Sequence, residues 1–221
     1  MTPGKRLFDV LLALLLMVPL GALMILVALV LLVAQGRPLL YGAERMRSPD
    51  RPFTLWKFRT MRAAAADSGV SGGDKVARVT PLGRVLRRTR LDELPQLFNI
   101  LAGDMSFVGP RPPLRQYVEA FPDLYAEVLR CRPGVTGLAS LIYHRHEERL
   151  LAACESAEET DRVYRRRCVP AKARLDLIYR ARRSPGLDLA VLALTARGVL
   201  RPSGNRSACL HSRRKSSIRR N

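Results

Sequence analysis

The sequence has no CxxC pair, and the spacing of Cys131, Cys154, Cys168 and Cys209 matches no zinc-ligand pattern. These four cysteines read as reduced, packed thiols of a cytosolic environment, not as a disulfide framework or a metal site. No internal repeat is present, so 221 residues suggest one domain plus appendages. Acidic residues are scarce: 19 stand against 38 lysines and arginines, for a formal net charge of +19. Such an excess calls for an anionic partner, whether nucleic acid, anionic lipid or a phosphorylated substrate. No charged residue occurs from Val10 to Ala34, and no small-residue cleavage site stands out there, which argues against a signal peptide. No acidic residue occurs from Arg201 to Asn221 among seven basic ones, and this segment reads as a disordered tail beside anionic lipid.

Hydrophobic residues make up 48% of the chain and concentrate in the first 36 positions. A membrane surface beside a basic face favours lipid over nucleic acid as the anionic partner. As one straight helix, Val10–Ala34 would reach roughly 37 Å, enough for a hydrocarbon core of about 30 Å. Pro19 interrupts it, and proline removes a backbone donor and crowds the preceding turn. The pieces Val10–Val18 and Leu20–Ala34 would be roughly 13 and 22 Å long, each too short to cross alone. Both flanks are basic, with Lys5 and Arg6 before and Arg37, Arg45 and Arg47 after. The positive-inside tendency places both flanks on the cytoplasmic side, which a re-entrant helix-break-helix over residues 1–36 satisfies and a span does not. Spanning helices do tolerate proline, so both topologies stay open.

Beyond this segment the pattern is α+β and mainly helical. Leu39–Tyr41 and Phe53–Met61 read as short strands about a turn at Ser48-Pro49-Asp50, a small β-hairpin. Asp67–Asp74, with three glycines, reads as a loop. Thr80-Pro81 is a helix start, with Thr80 as cap and proline at the first position. A second helix is expected from near Thr89, with Leu94, Leu97, Phe98 and Leu101 on one face. Because Pro95 is tolerated only near a helix start, Asp92 and Glu93 belong in its first turn, where the dipole keeps carboxylates ionised. The stripe from Leu114 to Leu129, divided at Pro122, is either core or an amphipathic interfacial surface. Glu158–Arg183 reads as helix around Pro170, and Leu187–Leu200 as a short apolar helix too short to span.

The chemistry centres on Asp92-Glu93. An isolated acidic pair at a helix start is usually only good helix chemistry. Here it follows Arg78, Arg84, Arg87, Arg88 and Arg90, and precedes Gly103-Asp104-Met105-Ser106-Phe107-Val108-Gly109-Pro110-Arg111-Pro112. Carboxylates that can attack or hold a metal, among guanidinium groups that hold phosphates, suit phosphate chemistry. Arg111, locked between two prolines, reads either as a pre-aimed phosphate ligand or as an exposed surface charge. Lys57 and Arg59 read as structural or headgroup-facing, and His144 and His146 as solvated loop histidines.

Ordered blocks along the chain carry a family likeness. They are Lys5-Arg6-Leu7-Phe8-Asp9, Pro19, Lys57-Phe58-Arg59-Thr60-Met61, Leu91-Asp92-Glu93-Leu94-Pro95-Gln96-Leu97-Phe98-Asn99, the Gly103–Pro112 block, and Pro133-Gly134-Val135-Thr136-Gly137. From about Lys5 to Leu200 the chain resembles the small monotopic phosphoglycosyl transferases, bacterial sugar transferases that start glycan assembly on a polyprenyl phosphate. The resemblance implies transfer of sugar 1-phosphate from a UDP-sugar to undecaprenyl phosphate, with release of UMP. It implies Asp92 as the nucleophile that carries a covalent phosphosugar, Glu93 as its assistant, Mg²⁺ held by Asp92 and Glu93, and Pro19 as the membrane break. Arg87, Arg111 and, by position, Arg145 would bind substrate phosphate. It further implies a cytoplasmic domain over 37–200, a tail over 201–221, and the minimal form without an added N-terminal membrane domain. The site would face the cytoplasm at the bacterial inner membrane and pass product to downstream glycosyltransferases, with no nucleic-acid partner. After Gly137 the chain departs from the family, with Leu138-Ala139-Ser140-Leu141-Ile142-Tyr143-His144-Arg145, so the sugar is not inferred. Two other readings compete: a non-catalytic, membrane-tethered basic scaffold, and a conventional glycosyltransferase that releases UDP.

Overall fold

The computed structural model describes residues 1–62, 70 and 73–200. The tail reading for 201–221, Cys209 and most of the 67–74 loop lie outside the described residues. A first helix, α1 (Pro3–Gln35), opens at Thr2, whose hydroxyl accepts from the Lys5 N–H at 3.3 Å. The expected break at Pro19 does not occur; the helix runs through it. A proline removes one donor and crowds the preceding turn, a cost that helices in an apolar setting tolerate.

Buried positions Asp9, Ala13, Met24, Val27 and Leu31 form one stripe along α1. The opposite side leaves Leu11, Leu15, Val18, Leu29 and Val33 exposed. Both ends are tied to the same body. Arg6 donates to the carbonyls of Ile100 and Leu101. At the other end the Arg59 guanidinium donates to the carbonyls of Gln35, at 2.6 Å, and Gly36. Lys5 bridges two buried carboxylates, Asp9 at 2.7 Å and Asp188 at 3.0 Å.

The hairpin pairs β1 (Leu40–Ser48) with β2 (Arg51–Phe58), from Leu40 opposite Phe58 to Arg45 opposite Phe53. Strand β1 is longer than expected, and Met61 reaches only an isolated bridge to Val79. Gly73–Arg78 forms a 3₁₀ turn, which takes in the last two residues of the expected loop, Gly73 and Asp74. Helix α2 (Pro81–Thr89) starts as its sequence predicts, the Thr80 hydroxyl accepting from the Gly83 N–H at 2.9 Å. Then come a 3₁₀ turn (Leu91–Glu93), α3 (Gln96–Ala102), β3 (Ser106–Val108), α4 (Arg115–Ala120), α5 (Pro122–Val128) and β4 (Gly134–Thr136). The rest is helical: α6 (Leu138–Ala152), α7 (Ala157–Val163), a π turn (Tyr164–Cys168), α8 (Val169–Arg182) and α9 (Pro185–Leu200). Pro170 sits at the start of α8, where its missing donor costs little. Cys131, Cys154 and Cys168 are free and buried.

The mainly helical α+β reading holds, with Pro122 dividing α4 from α5. The interfacial alternative for that stripe does not hold. Tyr117, Val118, Tyr125 and Val128 are buried with Tyr164, Val169 and Ala173 in one core cluster. Phe98, expected on the buried face of α3, is 51% exposed, because Ile100 rather than Phe98 turns inward.

Two glycine-rich blocks meet in a parallel pairing of β3 with β4. A Cβ at Gly109 would stand 2.2 Å from the Arg132 carbonyl oxygen, and one at Gly137 would stand 2.1 Å from that of Gly109. The glycines thus allow backbone to touch backbone and set where Pro110-Arg111-Pro112 leaves the sheet. Gly109→Ala and Gly137→Ala are each expected to cost at least about 2 kcal/mol. In thermal unfolding this should read as a fall in Tm of roughly 4–8 °C, and an unchanged Tm would refute the close-packing account.

Candidate active site

Helix α2 stops at Arg90, whose backbone is left-handed at φ 60°. This turn swings the chain so that Asp92 and Glu93 lie in a 3₁₀ turn ahead of α3, not in the first turn of a helix. From α3 the buried Asn99 reaches back to β2. Its amide donates to the Thr54 carbonyl at 2.8 Å and accepts from the Trp56 N–H at 3.1 Å. That clamp fixes β2, and with it Lys57, beside the acidic turn.

The two carboxylates have opposite surroundings. Glu93 Oε1 takes Lys57 Nζ at 2.8 Å and Arg111 Nη2 at 2.6 Å, with Arg90 Nη1 at 3.9 Å. Burial opposes its charge, but Arg111 and Lys57 overcome that and hold its pKa well below the usual carboxylate range. Asp92 is also buried, and its Oδ1 has no hydrogen-bond partner. Burial, then the charge of Glu93, push its pKa up, while Lys57, Arg90 and Arg87 pull it back only in part. The helix-dipole argument therefore does not describe Asp92, whose pKa desolvation raises rather than lowers.

An open cavity of about 3350 Å³ collects Arg87, Asp92, Glu93, Arg111 and Arg145. Arg87 is steadied by its Nε–H donating to the Thr60 hydroxyl at 2.9 Å. Arg145 lies exposed on α6, on the cavity wall. His144 and His146 are on that helix rather than in a loop. His144 touches Arg90 and lies 3.2 Å from Glu148, whereas His146 is exposed.

Three cavity residues escaped the sequence reading. Lys57, taken as structural, is a first neighbour of the acidic pair; its phase with buried Phe53 and Leu55 along β2 was the available signal. Arg45 lies on the same hairpin face, and burial followed by the charge of Arg111 lowers its pKa. Asp176 on α8 is buried with Oδ1 unpartnered, and burial pushes its pKa up to about 7. No motif marks it. Arg59 is structural, as expected.

Among the described residues no three His, Cys, Asp or Glu side chains form a metal cage. Magnesium commonly needs only one or two carboxylates plus substrate phosphates. Asp92, with a free oxygen, fits that role, whereas Glu93 Oε1 is already taken by two cations.

Residues 2–202 match the family described as bacterial sugar transferase. The chain belongs to the bacterial sugar transferase family. It is 34% identical to a sugar transferase of Bacillus subtilis, EpsL, itself uncharacterized, over 90% of this chain and 89% of that protein. It is also 34% identical to the UDP-glucose:undecaprenyl-phosphate glucose-1-phosphate transferase of Klebsiella pneumoniae, over 72% of this chain but 35% of that protein. A third relative is the UDP-N-acetylgalactosamine-undecaprenyl-phosphate N-acetylgalactosaminephosphotransferase of Aeromonas hydrophila, at 34% over 63% of this chain and 34% of that protein. The chain thus spans about a third of the length of these last two. In this sugar transferase the stretch that departs from the family blocks after Gly137 is α6, and its Ser140, His144 and Arg145 line the cavity.

The contrast within the acidic pair has a measurable consequence. The folded pKa of Glu93 lies below its unfolded value, so its stabilisation is present above the unfolded value and disappears as pH falls toward the folded one. Asp92 is the reverse: stability is lost as pH rises from its unfolded value through its raised folded value. At neutral pH, Glu93→Gln should lower stability by about 3 kcal/mol, because Lys57 and Arg111 lose their counter-charge. Asp92→Asn should raise Tm. Denaturation that moves both variants in the same direction would refute this division.

Proposed function

We propose that this sugar transferase is a phosphoglycosyl transferase that moves a sugar 1-phosphate from a UDP-sugar to undecaprenyl phosphate and releases UMP. The observation that carries this is Asp92, a buried carboxylate with one unpartnered oxygen inside a cavity walled by cations. A non-catalytic basic scaffold has no use for such a group, which costs stability. The names of the Klebsiella and Aeromonas relatives pair a UDP-sugar with undecaprenyl phosphate, which supports the choice of substrates.

In this reading an Asp92 oxygen attacks the sugar-bearing phosphorus, the bond from that phosphorus to the bridging oxygen breaks, and UMP leaves. The phosphosugar is then bound to Asp92 as an acyl phosphate. An oxygen of undecaprenyl phosphate attacks the same phosphorus and the Asp92 carboxylate returns. Arg111 and Arg87, with Arg145 from α6, hold phosphate oxygens. Glu93 keeps Lys57 and Arg111 aimed at the reacting atoms. Mg²⁺, when bound, would neutralise phosphate charge, held by Asp92 and the substrate phosphates with Glu93 beside them. Burial raises the pKa of Asp92, and a more basic carboxylate is the stronger nucleophile.

The acceptor lipid demands a membrane. Helix α1 is the one helix among the described residues long and apolar enough to cross one. Yet both its ends are held by the same body, through Arg6 and through Arg59. We read residues 1–36 as an unbroken helix lying in the cytoplasmic leaflet of the bacterial inner membrane with both ends toward the same side, with 37–200 as the cytoplasmic catalytic domain and 201–221 as the basic tail. The product would be a lipid-linked sugar on which downstream glycosyltransferases build exopolysaccharide, capsule, O-antigen or a protein-linked glycan.

Membrane-extracted protein incubated with Mg²⁺, undecaprenyl phosphate and a panel of UDP-sugars should release UMP for at least one sugar. Release of UDP would favour a conventional glycosyltransferase, and no nucleotide release from folded protein would favour the scaffold. Asp92→Asn should abolish both turnover and a radiolabelled phosphosugar adduct. Accessibility labels at residue 2 and residue 221 should both react from the cytoplasmic side; opposite sides would establish a span.

A further inference from the structure

A second group of cations lies away from the catalytic cavity. Arg6 comes from α1, Arg47 from β1, Arg51 from β2, and Arg130 and Arg132 from the segment after α5. A depression of about 390 Å³ holds Arg47, Arg51, Arg130 and Arg132 together with Met1, Ser48, Leu129 and one acid, Asp50, none of which lines the catalytic cavity. Arg6 Nη2 and Arg132 Nη1 converge on one spot, 3.4 and 3.5 Å from where a Cβ on Gly103 would sit.

The carboxylates nearby do not balance these charges. Asp104 is 3.9 Å from Arg47, and Asp50 is 3.9 Å from Arg51. Glu127 pairs with Arg130 at the exposed rim, at 2.8 Å. Arg6 is occupied by backbone carbonyls. Arg132, partly buried, makes no hydrogen bond or ion pair to any described residue. Burial lowers its pKa, followed by the charges of Arg47 and Arg6, and Asp104 and Asp9 offset these only in part. A guanidinium does not shed its proton to relieve such crowding, so the group needs an anion. Phosphate matches the fork of guanidinium donors. Beside Arg6 on α1, Leu7 and, one turn beyond it, Leu11 are exposed and offer an apolar surface. A phosphate over an apolar flank is the chemistry of a phospholipid.

We propose that Arg47 and Arg132, with Arg6, form a phosphate site for the headgroup of one anionic phospholipid, separate from the site of the acceptor lipid. The site rests on the reading of α1 as membrane-embedded, and it does not depend on which reaction the cavity performs. By holding the headgroup between α1 and the β1–β2 turn, it sets the depth at which the body rides on the bilayer.

The test uses the full chain in nanodiscs of phosphatidylcholine doped with a minority of phosphatidylglycerol, with native mass spectrometry to count retained lipids. The wild type should retain one phosphatidylglycerol in preference to phosphatidylcholine. Arg47→Gln/Arg132→Gln should lower that retention about tenfold, while UMP release and Tm stay near wild type. If the double variant does not fold, Arg132→Gln alone is measured against the rim variant Arg130→Gln, and only the former should lose the lipid. Equal retention by wild type and the Arg47/Arg132 variant, or no preference over phosphatidylcholine, would overturn the site. Displacement of the lipid by inorganic phosphate at matched concentration would make it a free-phosphate site and overturn the lipid assignment. Failure of every UDP-sugar to release UMP, with selective lipid retention intact, would sink the proposed reaction and leave this site standing.

Discussion

Glu93 is the charge on which the cavity is assembled. Its Oε1 binds Lys57 from the hairpin and Arg111 from the Pro-Arg-Pro segment, two residues that come from opposite sides of the acidic turn. Burying three charges is expensive unless geometry and hydrogen bonds are good. Here the geometry is supplied by neutral contacts: Asn99 clamps β2, and the touching glycines of β3 and β4 hold the exit of Arg111. Because Glu93 absorbs the two nearest cations, Asp92 next to it is left with cations at a distance and no hydrogen bond to Oδ1. One acid is stabilised so that the other can be kept unsatisfied. A buried, unpartnered carboxylate is a cost to the fold that only a ligand or a reaction repays.

A parallel arrangement fixes α1. Lys5 is shared between Asp9 and Asp188, and Asp188 also accepts from the Tyr179 hydroxyl at 2.7 Å, which in turn reaches the Val108 carbonyl. One lysine therefore links the start of α1 to α8, α9 and the end of β3, a few residues from Arg111. Helix α1 and Arg111 share a frame. A helix whose outer face is apolar is thereby joined to the cavity that holds the acidic pair. The unbroken course of α1 through Pro19 shows that a proline in an apolar helix is not by itself a break. The topology argument now rests on the tethering of both ends.

Local signals were the legible part of the sequence. Thr80-Pro81 capped α2, Pro122 parted α4 from α5, and turn residues marked the hairpin, because each acts through its own backbone. The acidic pair and Arg111 were legible through their ordered blocks. What escaped was set by partners distant in sequence. Lys57 reads as one more basic residue until Asn99 places it against Glu93. The Tyr117–Val128 stripe reads equally as core or membrane face until Tyr164 and Val169 cover it. The 3₁₀ turn at Leu91–Glu93 follows from the left-handed Arg90, a conformation that no residue type there announces. Asp176 interrupts an apolar face without any motif, so burial alone reveals it.

Unsatisfied buried polar atoms around the cavity include Asp92 Oδ1, Gln96 Nε2 and Asp176 Oδ1, with Arg59 Nε and Tyr117 Oη among the others. Buried polar groups are almost always paired in a finished fold, so the first three describe what a ligand would supply. The arginines and Lys57 call for phosphate oxygens. The two free carboxylate oxygens call for the opposite, a cation or hydroxyl donors, and Gln96 calls for an acceptor. A bare phosphate or a simple anionic lipid answers only the first demand. A molecule that carries phosphates beside a polyhydroxylated ring answers all three, and a sugar nucleotide is of that kind. Asp176 adds a pH dependence to this fit. With a pKa raised to about 7, it passes from hydroxyl donor to acceptor near neutrality, and so changes which partner the far wall of the cavity prefers.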